Sequence, residues 1–185
     1  MMVTRELRAR IRSQREPTVE LYGKQVPGSI PFIRELLAAT DDDEDRDALL
    51  VELAGEYLRA DLDDEHLLVQ RERVANHPNA AVTWLGLSHT LSMRADGVEE
   101  AKCAVAKAVE ISRNCGTLIR YSLQCQADVA RKTSDPVLFE QALRELIVDA
   151  PNSREDDTGL DSRVVTDLPD GFCEPQLEAK YRSLL

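Results

Sequence analysis

The chain has 185 residues, enough for one domain or a short repeat array, and a chain of that size buries roughly 70% of its unfolded surface around one continuous core. Apolar residues make up 43% of it but aromatics only 4%. Leu and Ala dominate the apolar set, and they lose little entropy in a helix, whereas strands are enriched in β-branched and aromatic residues. The net charge of -11, from 34 acidic and 23 basic residues, works against non-specific attraction to nucleic acid or an anionic membrane and suits a basic or amphiphilic partner.

The charge is uneven along the chain. Residues 1–24 carry six Lys/Arg and three Asp/Glu, whereas residues 41–65 carry twelve Asp/Glu and two Arg. Both stretches read first as solvated surface. No apolar stretch follows the opening residues and no run approaches the roughly 18 apolar residues of a membrane span. The expectation is a cytoplasmic protein without signal peptide or membrane association. The cysteines Cys103, Cys115, Cys125 and Cys173 lack C-x-x-C spacing and fall in or beside apolar helical segments, so they read as reduced packing residues.

In chain order, Arg5 to about Gln14 reads as a short basic helix, followed by a connector containing Pro27, Gly28 and Pro31. Ser29 is placed to cap, and Pro31 to sit in the first turn of, a helix running to Ala39, because proline costs nothing where no amide partner exists. The run Thr40-Asp-Asp-Asp-Glu-Asp45 is next a helix start, with Thr40 or an early Asp as cap and carboxylates at the positive end of the dipole. Amphipathic segments then alternate with breakers: 44–60, 64–76, 80–94, 98–112, 117–132 and 136–149. That predicts six helices in three antiparallel pairs.

The longer breaks His77-Pro-Asn79, Ser112-Arg-Asn114 and Ala150-Pro-Asn152 recur at 35 and 38 residues, the length of a solenoid unit built from one helix pair. Trp84, Leu87, Ser88 and Leu91, then Ala101, Val105 and Ala108, carry the best-matching unit. Leu50, Leu53, Ala54 and Tyr57 with Pro78 repeat the pattern upstream. Leu118, Tyr121, Ser122 and Cys125, then Phe139, Leu143, Leu146 and Pro151, repeat it downstream. Over about residues 44–152 the chain resembles the tetratricopeptide repeat (TPR) family. It departs from the family where Gly86 stands two residues early, where Arg113 replaces a closing proline, and around His66, Gln70 and Arg73.

Composition and resemblance together predict an all-α fold: antiparallel helix pairs stacked as a short TPR-like solenoid with N- and C-terminal capping helices. The expected parts are 1–40 (basic helix, connector and capping helix), 41–152 (repeats at about 44–79, 80–114 and 115–152) and 153–185 (loop and C-terminal capping helix). In the last, Pro175 opens a helix to Leu185 on which Leu177, Tyr181, Leu184 and Leu185 share a face.

Residues able to do chemistry do not converge. His66, His77 and His89 lie on three different elements without an i, i+4 partner. Adjacent carboxylates such as Glu99-Glu100 or Asp156-Asp157 point about 100° apart on a helix and cannot share a proton or metal. Asp41–Asp45 lacks the ligand spacing of a calcium loop, and no phosphate-binding or hydrolase motif occurs. No catalytic residue, metal ligand or cofactor is therefore expected. The resemblance implies a protein-interaction module, an adaptor or chaperone-like scaffold, whose concave groove is lined by Glu52, Arg59, Leu85, His89, Arg120, Leu123 and Gln126. Two alternatives stand beside it. One is an acidic immunity-type or secretion-chaperone-type protein neutralising a basic partner. The other is a nucleic-acid-associated regulator using Arg5, Arg8, Arg10, Arg12 and Arg15.

Overall fold

A computed structural model describes residues 5–21, 23–149 and 161–185. The chain forms two units, Met1–Asn76 and His77–Leu185, each with its own apolar cluster, where one continuous core was expected. The boundary falls inside the stretch read as a single repeat array.

The first unit contains helix α1 (Arg5–Ser13), strands β1 (Thr18–Leu21) and β2 (Lys24–Pro27), and helices α2 (Ser29–Ala38), α3 (Asp43–Arg59) and α4 (Asp63–Asn76). The strands correct the all-α reading. The connector is an antiparallel hairpin in which Val19 pairs with Val26 and Thr18 with Pro27. Its β-branched residues flank Gly23, whose φ of 71° is one that L side chains rarely adopt. The hairpin closes where the Gly28 amide donates to the Pro17 carbonyl at 2.7 Å. A Cβ at Gly28 would lie 2.9 Å from that oxygen, so a side chain there would force the strands apart.

Helix spacing builds the core of this unit. Leu7 and Ile11 of α1, Ile30, Ile33 and Leu37 of α2, and Leu49, Leu50, Leu53, Ala54 and Tyr57 of α3 bury one stripe per helix, joined by Val26 of the hairpin. Asp42 caps α3 by accepting from the Asp45 amide at 2.9 Å. Thr40, the other expected cap, instead turns back to the Leu36 carbonyl. Ser29 is not the cap either, because Gly28 holds the N-cap position of α2 and Ser29 is its first helical residue. Its buried hydroxyl donates to Glu56 Oε2 at 2.8 Å.

The second unit contains α5 (Ala81–Ser92), α6 (Val98–Cys115), α7 (Ile119–Lys132), α8 (Pro136–Asp149), a 3-10 turn at Ser162–Val165, and α9 (Pro175–Arg182). Consecutive helices pack on one another, and α5 also touches α7. The break expected at Ser112–Asn114 is helical. α6 runs on to Cys115 and ends at Gly116, whose φ of 68° supplies the left-handed cap. The break expected at Ala150–Asn152 lies outside the described residues.

Small residues set the spacing where α6 meets α7. The Ser112 and Ser122 hydroxyls, both buried, sit 2.7 Å apart in one hydrogen bond. Leu123, Ala127 and Ala130 of α7 then meet Phe139, Ala142, Leu143 and Leu146 of α8. α9 packs against α8, and its Leu177 and Tyr181 are buried in the cluster that α7 and α8 also form. Leu184 and Leu185 lie beyond its end and are exposed, so they do not extend that face. Among the described residues, no helix is long and apolar enough to cross a membrane.

Candidate functional site

The α7 sequence Ile119–Lys132 carries two stripes at helical spacing. Leu123, Ala127 and Ala130 face the core, and Tyr121, Cys125, Asp128 and Lys132 occupy the opposite phase. That second stripe, His89 of α5, Asp161 at the start of the 3-10 turn and Arg163 within it enclose a cleft of about 400 Å³.

Charge inside the cleft is organised around two carboxylates. Asp128 holds Arg131 Nη2 at 2.9 Å through Oδ1 and Lys132 Nζ at 2.8 Å through Oδ2. Burial alone would raise the Asp128 pKa, but these two cations more than offset it and hold the group below its ordinary value. Asp161 Oδ2 accepts from Arg163 Nε at 2.9 Å and lies 2.7 Å from Nη2, while Oδ1 accepts from Nε at 3.1 Å and from the Arg163 amide at 2.9 Å. The Arg163 side chain pulls the Asp161 pKa down. Lys132 Nζ lies 3.3 Å from His89 Nδ1. An ammonium can only donate, so that contact calls for a neutral imidazole accepting at Nδ1.

Cys125 and His89 share the cleft, which is the arrangement a thiolate nucleophile would need. The thiol is not activated for it. Burial pushes its pKa from 9.0 up to about 11, whereas reactive thiolates are depressed by neighbouring cations or helix N-termini. Because the folded state favours the neutral thiol, that contribution to stability is complete below pH 9 and disappears as pH climbs toward 11. Iodoacetamide at pH 8 is expected to modify the exposed Cys103 and Cys115 well before Cys125, as followed by peptide mass spectrometry. Equal rates would contradict the buried, protonated thiol. The exposure of Cys103 and Cys115 also corrects the reading of all four cysteines as packing residues.

The seven residues expected along one groove fall in both units. Glu52 pairs with Arg8 at 2.8 Å and Arg59 with Glu56 at 2.7 Å, both in the first unit. In the second unit Leu85 and Leu123 are core, and Arg120 and Gln126 are buried as well. Of the seven, His89 lines the cleft. The α7 residues were taken from the buried face of the helix, nearly opposite the exposed stripe. Placing Leu123, Ala127 and Ala130 on the core would have left Tyr121, Cys125, Asp128 and Lys132 outside.

The basic N-terminal segment is spent on its own unit. Leu7 and Ile11 anchor α1, Arg8 pairs with Glu52, Arg15 with Glu56, and Arg10 stacks on Phe32 at 5.5 Å. That leaves Arg5 and Arg12 without an ion pair among the described residues. The acidic stretch is similarly engaged, with Asp42 capping α3 and Asp47, Glu52 and Glu56 in ion pairs.

The poor repeat match in α4 has a physical origin. His66, Gln70 and Arg73 are buried there beside Leu67, Val69 and Val74, and His66 and Arg73 meet α3 through polar contacts. His66 Nδ1 contacts the Ala54 carbonyl at 2.8 Å, Arg73 donates to Gln70 Oε1 at 3.2 Å, and Arg73 also pairs with Asp47 at 2.8 Å. No protein-family model, curated protein or solved structure matches this chain.

Proposed function

We propose that this chain is a cytoplasmic protein-interaction module of tetratricopeptide kind, adaptor or chaperone-like, that holds a segment of a partner in the α5–α7 cleft. The observation carrying this reading is the contact of α5 with α7 across the intervening α6. Stacked helix pairs place the first helices of successive pairs side by side in this way, and such arrays bind on the face those helices share. His89, Tyr121 and Lys132 all lie on that side.

A photo-crosslinking amino acid at position 121, where Tyr121 is 43% exposed, tests the reading in the native host. The control position is Glu110 on α6, whose exposed side chain is absent from the cleft. A discrete protein adduct is expected from position 121 and none from position 110, and the captured protein, once purified, should rebind the unmodified chain. Equal capture at the two positions, or none at either, would refute the assignment of function to this face.

A further inference from the structure

Resting on that reading, we infer that the partner segment is acidic and presents Asp or Glu side chains to Arg131, Lys132 and Arg163. Among the described residues the cleft lining carries three permanent cations and two carboxylates, a local balance opposite in sign to the net charge of -11. Both carboxylates are already occupied: Asp128 by Arg131 and Lys132, and Asp161 by the side chain and amide of Arg163. Donors remain. A guanidinium carries five N–H groups and an ammonium three, with no acceptor on either.

Arg131 Nε is buried and has no acceptor among the described residues. A buried donor left unmet is costly, and a charged donor more so than a neutral one. A carboxylate in the cleft would supply the acceptor once the Arg131 side chain, 33% exposed overall, turns to present Nε. It would also meet Lys132 and the guanidinium of Arg163, whose side chain is 87% exposed. Tyr121 and Val164 add apolar wall for the methylene stems of Glu or for a neighbouring side chain. The negative charge elsewhere on the chain does not forbid this, because at physiological salt it is screened over about 8 Å while the cleft cations act at contact.

The test uses the full ¹⁵N-labelled chain and four probes: a terminally blocked octapeptide alternating Glu and Leu, its Gln and Lys counterparts, and inorganic phosphate. The Arg131 Nε–H resonance reports directly on the donor. The Glu peptide is expected to shift it saturably, together with the amides of Lys132 and Arg163, and to bind roughly tenfold or more tightly than the Gln peptide, the size of a charge-assisted hydrogen bond. Arg163→Gln and Lys132→Gln should each weaken the Glu peptide several-fold, and Arg163→Gln should do so without altering the melting temperature.

Equal binding of the Glu and Gln peptides, or preference for the Lys peptide, overturns the inference. So does a response to phosphate alone, which would make this an inorganic anion site. If no peptide perturbs the cleft while crosslinking from position 121 still captures a partner, the acidic assignment fails and the interaction reading stands. If the crosslink fails while the Glu peptide binds, the interaction reading falls and the anion chemistry survives.

Discussion

Replacing Glu56 by Ala is expected to destabilise the chain by about 3 kcal/mol, the lower end of what breaking a buried ion pair costs. The Glu56 side chain is 0% exposed, yet it belongs to α3, in the segment that reads as an acidic solvated run. It accepts from Arg15 at 2.6 Å, Arg59 at 2.7 Å and Ser29 at 2.8 Å, so one carboxylate joins the chain after α1, the start of α2, and α3. After truncation Arg15 and Arg59 can turn to water, being 32% and 54% exposed. The Ser29 hydroxyl cannot, because it is fully buried, and its lost acceptor accounts for much of the penalty. Glu56→Gln preserves shape and one acceptor and should cost clearly less. Urea titration followed by circular dichroism measures both. A loss below about 1 kcal/mol for Glu56→Ala would place this cluster with ordinary surface ion pairs.

Phe139→Ala should cost about 3–5 kcal/mol, as truncating a buried aromatic does when its surroundings cannot collapse, and should lower the melting temperature by roughly 10 °C for a chain of this size. Phe139 is 0% exposed and meets Phe172 edge to face, with ring centroids 5.2 Å apart and planes at 70°. It thus ties α8 to the segment leading into α9. That gives the substitution a second, local readout. Cys173, adjacent to Phe172 and buried in the same cluster, should become alkylated faster in the variant than in the parent chain. Phe139→Leu keeps most of the apolar volume and should lose much less. If Phe139→Ala melts within a few degrees of the parent, the C-terminal segment is not held by this contact.

Several helices were legible because they announce themselves twice, by an apolar stripe and by end signals. Asp42 before α3, Pro136 opening α8 and Pro175 opening α9 stand where the sequence places them. The hairpin was not legible, since its two four-residue strands sit among Pro and Gly, which also mark loops. Register failed where stripes compete. The buried face of α7 carries polar residues, Arg120 and Gln126 beside Leu123, so polarity alone does not tell its core face from its cleft face. The roles of Ser29 and Glu56 were hidden for another reason: their partnership spans 27 residues, and nothing local marks a carboxylate for burial.

By itself the sequence determined a predominantly helical chain, the ends of most of its helices, and a surface of strong negative charge, because propensity, capping and composition act over a few residues. Tertiary structure alone decided that the chain has two cores, that Arg8, Arg10 and Arg15 serve their own unit, and that a cation-rich cleft opens on a chain of net charge -11. Those outcomes depend on which distant side chains meet in three dimensions, and pairwise electrostatics falls off over distances that sequence spacing does not measure.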